Sequence, residues 1–207
     1  MKTQLTIVFT CLGIATSVLA APEMFDFKDP KGINNAGFKL DAPLESINGS
    51  ANGVSGTVTF DPEHPGVTTG KIVVAANTLM LPNTMQQGHM RGPQWMDAAK
   101  FPEISFEEKE LHNVKTEGDI TTADAVGTFT CKGVSKEMTI PVKLSYLKGK
   151  LGDRMKGMPG AKEGDLLVIR SNFSIKRSDF NINPGKFEDK VSEEINLTLS
   201  IAGASPQ

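Results

Sequence analysis

From Ala36 onward, apolar and polar residues alternate with a period of two, the pattern of strands that bury one face. Val54, Gly56, Val58 and Phe60 alternate with Ser55, Thr57 and Thr59, and the run stops at Asp61-Pro62. Ile72, Val74 and Ala76 share a face over 71–77. Ile104 and Phe106 oppose Glu103, Ser105 and Glu107, and further strands are predicted at 111–115 and at 125–131, the latter carrying Phe129. The cleanest face is Met138, Ile140, Val142, Leu144 and Tyr146. Leu167, Ile169, Phe173 and Ile175 follow within 166–176, and Ile195, Leu197, Leu199 and Ile201 within 191–201. A strand at Ala36 to Leu40, with Phe38 inside it, brings the total to about eight.

Turns rich in Pro, Gly and Asn separate these runs, at 61–70, 116–123, 132–133, 148–164 and 181–186. One stretch, near 85–100, is long enough for a helix, and Pro82, Gly88, Gly92 and Pro93 confine it to a few turns. Pro102 ends it, because proline lacks an N–H and disfavours helix at Phe101. The single tryptophan, Trp95, lies just before that stop. About eight mostly antiparallel strands must close or stack, since exposed edges invite aggregation. A closed barrel of that size holds packed side chains or one small ligand. A two-sheet sandwich satisfies the same pattern.

Composition narrows the setting. The 207 residues suit one domain with a substantial core. Lys2, an apolar run from Leu5 to Ala15 and small residues ending at Ala20 have the layout of a secretory signal peptide. Residues 1–20 are therefore expected to be a leader, and 21–207 the exported domain, with no later run apolar enough to span a bilayer. Of the two cysteines, Cys11 falls in the leader, so Cys131 stands alone and the fold must rest on its core. The net charge of −2, spread along the chain, argues against nucleic acid as a partner.

Four segments, in order, carry a resemblance. They are Ser55-Gly56-Thr57-Val58-Thr59-Phe60-Asp61-Pro62; His89-Met90 followed by Met96-Asp97-Ala98-Ala99-Lys100-Phe101-Pro102-Glu103-Ile104-Ser105-Phe106; Gly127-Thr128-Phe129-Thr130-Cys131-Lys132-Gly133-Val134-Ser135-Lys136; and Arg177-Ser178-Asp179-Phe180-Asn181-Ile182. Together they resemble the YceI-like family of exported bacterial proteins. Two positions depart from the family pattern. Met85-Gln86-Gln87 stands where an Arg-Asp is usual, and Lys132 where the hairpin has histidine. The resemblance implies an all-β fold, an antiparallel eight-stranded lipocalin-like barrel with one short helical segment. Its apolar bore would take an isoprenoid, a quinone lipid or a similar amphiphile, in the periplasm or outside the cell, and a homodimer is compatible with it.

Alternation and resemblance together name Phe38, Val58, Phe60, Met90, Trp95, Ile104, Phe106, Phe129, Met138, Ile140, Val142, Phe173 and Leu197 as bore-lining candidates. Met80, Met85, Met90 and Met96 cluster around the helix, where flexible thioethers suit either a pocket wall or irregular core space. Arg177 and Asp179 are candidates to pair with each other or to pin backbone near the barrel end, closing the last turn, with recognition of a ligand headgroup as the alternative. The 148–165 loop reads as a solvated mobile loop, with gating of the bore or contact with a membrane surface as the alternative. His64, His89 and His112 lack metal-ligand spacing, and no nucleophile elbow is present. Cys131 reads as a small buried hydrophobe. The chain therefore reads as a non-catalytic lipid binder without a cofactor. The alternatives are a small-ligand enzyme, which needs a polar group of tuned pKa inside the bore, and a module with a filled core.

Overall fold

In the computed structural model, which describes residues 21–207, ten antiparallel strands form one continuous sheet. The leader expected over residues 1–20 lies outside the described residues. The strands are β1 (Glu23–Asp26), β2 (Asn35–Asp41), β3 (Ser46–Ala51), β4 (Val54–Phe60), β5 (Thr69–Ala75), β6 (Glu103–Glu117), β7 (Ile120–Cys131), β8 (Val134–Leu147), β9 (Gly164–Lys176) and β10 (Glu194–Pro206). Neighbours from β4 to β10 pair in sequence order. β1 pairs with β4 from Glu23↔Phe60 to Asp26↔Thr57, and Asp26 also meets Ala204 of β10. The ring β1-β4-β5-β6-β7-β8-β9-β10 is thus a closed eight-stranded barrel. Among the described residues no helix is long and apolar enough to cross a membrane.

Two strands beyond those predicted complete the architecture. β2 pairs with Asn196–Ser200 of β10, and β3 pairs with β2, so a hairpin branches from the ring at one end. Ser50 of that hairpin and Met80 exchange backbone hydrogen bonds of 3.1 and 2.7 Å. The hairpin thereby spans the gap between β10 and the chain leaving β5. β3 reads Ser-Ile-Asn-Gly-Ser-Ala, with one large apolar residue, and β1 has four residues, too few to show a period. β6 is a single strand of 15 residues, where two were predicted. Register shifts between Glu108 and Glu110, and between His112 and Lys115, insert extra residues that break the alternation.

The helical segment is shorter than its predicted span. Helix α1 covers Thr84–Arg91. The Asn83 side chain caps it by accepting from the N–H groups of Met85 and Gln86 at 3.0 and 3.1 Å. Gly92-Pro93 then stops it, and turns carry the chain past Trp95 to Phe101, whose N–H donates to the Asp97 carbonyl at 2.8 Å. A second helix, α2 (Leu151–Met155), was not predicted.

One end of the barrel is filled. Phe25, Phe60, Leu167 and Ile201 are buried there. The Tyr146 ring packs against Phe25 and Phe60, with centroids 6.3 and 6.0 Å away. Below this floor, Asp165 is 1% exposed and accepts two hydrogen bonds of 2.6 Å, from the Tyr146 hydroxyl and the Gly149 N–H. The loop over 148–163 connects β8 to β9 at this same end. It is tied down by Leu151, which is buried, and by Arg154, which pairs with Asp29 at 3.1 Å. This loop covers the floor, and its residues are not among those that line the open cavity. Tyr146→Phe leaves the buried Asp165 carboxylate one partner short. It is expected to cost about 1.5–3 kcal/mol in urea unfolding, the usual worth of a hydrogen bond to a charged group.

Candidate functional site

Above the floor the barrel interior is open, a cavity of about 510 Å³, within the range of small-molecule sites. Its walls are the inward positions of the strands. Ile72 and Val74 of β5 face Ile104 and Phe106 of β6, and the pairing continues through Phe129 and Ala125 of β7 to Ile140 and Val142 of β8. Phe173 of β9 and Leu197 of β10 close the circuit. Phe129 stacks edge-on against Phe173 at 6.0 Å and against Phe180 at 5.4 Å. The opening lies at the end opposite the floor, beneath Trp95, Met90, the β2–β3 hairpin and the segment from Ile182 to Val191.

Every predicted liner except Phe60 and Met138 borders this cavity. Phe60 lies lower, as part of the floor, because the interior fills before β4 ends. Met138 packs between two buried clusters without reaching the open space. The methionines near the helix divide. Met90 and Met96 border the cavity, whereas Met85 is 72% exposed and Met80 is partly exposed. Cys131 is buried at the upper wall, and burial pushes its thiol up to about 12, so it is a wall atom and not a nucleophile.

The predicted Arg177–Asp179 pair does not form. Asp179 pairs with Lys136 at 2.5 Å. Arg177 is 1% exposed and directs all five of its N–H donors at backbone carbonyls. Nε donates to Ser192, Nη1 to Ile182 and Asn183, and Nη2 to Lys186 and Val191, at 2.7 to 3.2 Å. One side chain therefore folds the whole 182–192 segment around itself. The guanidinium also lies 5.9 Å from the Trp95 ring, and Trp95 lies 5.9 Å from Phe187 of that segment. Asn183 adds a bond to the Gln94 carbonyl at 2.8 Å. Lys132 supports the segment from the side. It occupies a left-handed position, φ 48°, in the two-residue turn between β7 and β8, and its Nζ donates to the Asn181 carbonyl at 2.9 Å.

The interior holds one group that sequence reading missed. Glu108 borders the cavity on its floor side of Phe106, with one carboxylate oxygen buried and without a hydrogen-bond partner. Its cross-strand neighbours are Gly70 on β5 and Gly127 on β7, over which the Val58 side chain and the Phe106 ring pack. Desolvation alone pushes its pKa up to about 7. The clue was the alternation itself: continuing from Ile104 and Phe106 places Glu108 on the apolar face. It was hidden in the charged run Glu107 to Glu110 and by the shift that follows it, which puts Lys109 outside and returns Leu111 to the interior. Among the described residues no three His, Cys, Asp or Glu gather as metal ligands.

This geometry has known counterparts. A family model described as YceI-like domain matches residues 32–202. A UPF0312 protein of Yersinia pestis (strain Pestoides F) is 32% identical over 155 residues, 75% of this chain and 72% of the relative. Among solved structures, Burkholderia cenocepacia BcnA superimposes with a TM-score of 0.62 at 20% identity, covering 82% of this chain and 94% of its own. A polyisoprenoid binding domain from Saccharophagus degradans, implicated in plant cell wall breakdown, gives 0.63 at 10% identity, covering 90% and 100%. At those identities the structures share the fold.

Two outcomes follow from the buried charges. Arg177→Lys keeps the charge but has three donors for five carbonyls, so it is expected to cost about 2–4 kcal/mol in urea unfolding and to shift Trp95 emission as the 182–192 segment loosens. For Glu108, the folded pKa of about 7 lies above the unfolded 4.5, so the folded state binds the proton more tightly. Stability therefore falls as pH rises from the lower value through the upper one. Glu108→Gln removes that dependence. The variant is expected to match wild type at acid pH and to exceed it at alkaline pH by about 2 kcal/mol, discounted for the partial exposure of the group.

Proposed function

The chain belongs to the YceI-like family, and from that premise we propose that it binds a long amphiphilic lipid of the polyisoprenoid kind in its bore, without performing chemistry on it. The observation that carries this reading is the bore itself: apolar walls from alternating strand positions, a filled floor at one end and an opening at the other. A blind apolar tube suits a chain that enters from one side. Each methylene moved from water contributes about 0.8 kcal/mol. About five to twenty of them offset the roughly 4–15 kcal/mol lost on association. The Saccharophagus degradans structure, described as a polyisoprenoid binding domain, supports the ligand class. The leader-like residues 1–20 and the family fit a periplasmic or secreted protein that stores or carries its lipid.

Recognition suits this interior better than turnover. The polar side chain with a raised pKa, Glu108, has no nucleophile or second ionisable group beside it among the described residues that border the cavity. Arg177 and Lys132 direct their donors at backbone carbonyls, which makes them supports of the opening.

Blocking the tube tests the proposal. Ala125 is buried in the wall, and Ala125→Phe extends a ring into the cavity. Trp95, the single tryptophan, lies at the opening and reports occupancy by its emission. Wild type is expected to bind geranylgeraniol saturably, and the variant at least about tenfold more weakly with its β-sheet spectrum intact. Equal affinity in the two proteins, or no saturable binding by wild type, contradicts a ligand in the bore.

A further inference from the structure

We propose that Glu108 is an interior recognition group, whose protonated carboxyl donates a hydrogen bond to an uncharged carbonyl oxygen at the end of the lipid that enters the bore first. This rests on the lipid-binding reading above and adds which chemistry the ligand carries and which way round it lies.

The geometry supplies the site. Glu108 of β6 borders the cavity, whose wall also carries Val58, Leu111, Ala125 and Ile140. The glycines opposite it on both neighbouring strands offer its carboxylate no polar side chain, and apolar Val58 and Phe106 pack over them, so one oxygen stays buried without a hydrogen-bond partner. Glu23 and Glu193 also carry a buried carboxylate oxygen without a partner, but neither borders the cavity, whereas Glu108 does. The register shift just after it, at Lys109, is the kind of insertion that re-aims a side chain. An orphaned group of this kind is a cost in the free protein that a ligand atom removes.

The surroundings decide the ligand's charge. Glu107 and Lys109 face outward and pair with Lys71 and Glu137. The uncharged polar side chains that line the same cavity include Thr68, Ser105 and Ser171, and Gly70 and Gly127 bring no charge. The other ionisable residues that border the cavity, Glu45, His89, Cys131, Arg177 and Lys190, belong to elements at the open end. With no cation beside it, the carboxyl is favoured in its neutral form, as burial pushes its pKa up to about 7. A neutral acid offers an O–H donor, and a carbonyl is its complement. The opposite end of the ligand then passes out beneath an apolar rim, where Leu44, Met85 and Phe187 are exposed at 68%, 72% and 54%.

A matched pair of probes tests this: 2-heptadecanone and heptadecane, with geranylgeraniol as the control for binding as such. At pH 6 wild type is expected to prefer the ketone by about tenfold, one hydrogen bond's worth of affinity in a dry site. The preference should shrink at pH 8.5, because the ionised carboxylate has no proton to give. Glu108→Leu should bind both probes alike at both pH values. Glu108→Gln, whose amide N–H still donates, should keep the preference at both. Geranylgeraniol binding with the same ketone-to-alkane ratio in wild type and Glu108→Leu overturns the inference and leaves the lipid reading standing. A tenfold preference for heptadecylamine that grows towards pH 8.5 also overturns it, since the group would then act as a buried carboxylate. Failure of all the probes to bind wild type removes the lipid reading, and this inference with it.

Discussion

Closure of the sheet through β10 sets everything else in the molecule. The strand pairs with β9 along its whole length, and its free edge is divided between β2 near its start and β1 near its end. Backbone groups on both edges are thereby matched, and every second side chain around the ring is committed to the interior. The divided edge also makes the two ends unlike. At the β1 end, Phe25 and Phe60 meet the Tyr146 ring and fill the interior. At the β2 end the hairpin splays the ring, and the interior stays open. A tube with one floor is a consequence of where two short strands dock on one long one.

The two principal polar side chains of the upper and lower bore show opposite solutions to burial. Arg177 is buried and fully satisfied, with every donor on a backbone carbonyl of the 182–192 segment. It turns loop backbone that would otherwise be poorly packed into a rim for Trp95 and Phe187. Glu108 is half-buried with one oxygen unsatisfied, and desolvation shifts its protonation in place of a partner. A satisfied buried charge builds structure, while an unsatisfied one in a cavity is a site for something else to bond.

Much of this was readable in the sequence, for a definite reason. Alternation in β4, β7, β8, β9 and β10 is long and regular, so the faces of Val58, Phe129, Ile140, Phe173 and Leu197 followed directly. The eight-stranded ring followed from alternation together with family resemblance. What escaped detection lacked a period or broke one. β1 and β3 are short and poor in large apolar residues. The shifts in β6 hid Glu108 inside a charged run. Phe60 has the right parity but the wrong depth, which the docking of β1 sets and no local pattern encodes, and Met138 has the right parity but is taken up between the two buried clusters. Arg177 was expected to pair with Asp179 or to pin backbone, and it does the second, its buried guanidinium taking the carbonyls of the loop that follows while Asp179 turns to Lys136. The 148–165 loop had the length of a gate, yet the strand order puts it under the floor.

A lipid held in the bore should travel with the protein. Native mass spectrometry of protein purified from its own host, followed by organic extraction and analysis of the extract, reads this without choosing a probe. The expected result is a reproducible mass excess that extraction removes and that the extract accounts for as a long-chain isoprenoid or related amphiphile. Protein that emerges at its bare mass, and that takes up neither isoprenols nor quinones when they are supplied, contradicts the proposal that this barrel is a lipid container.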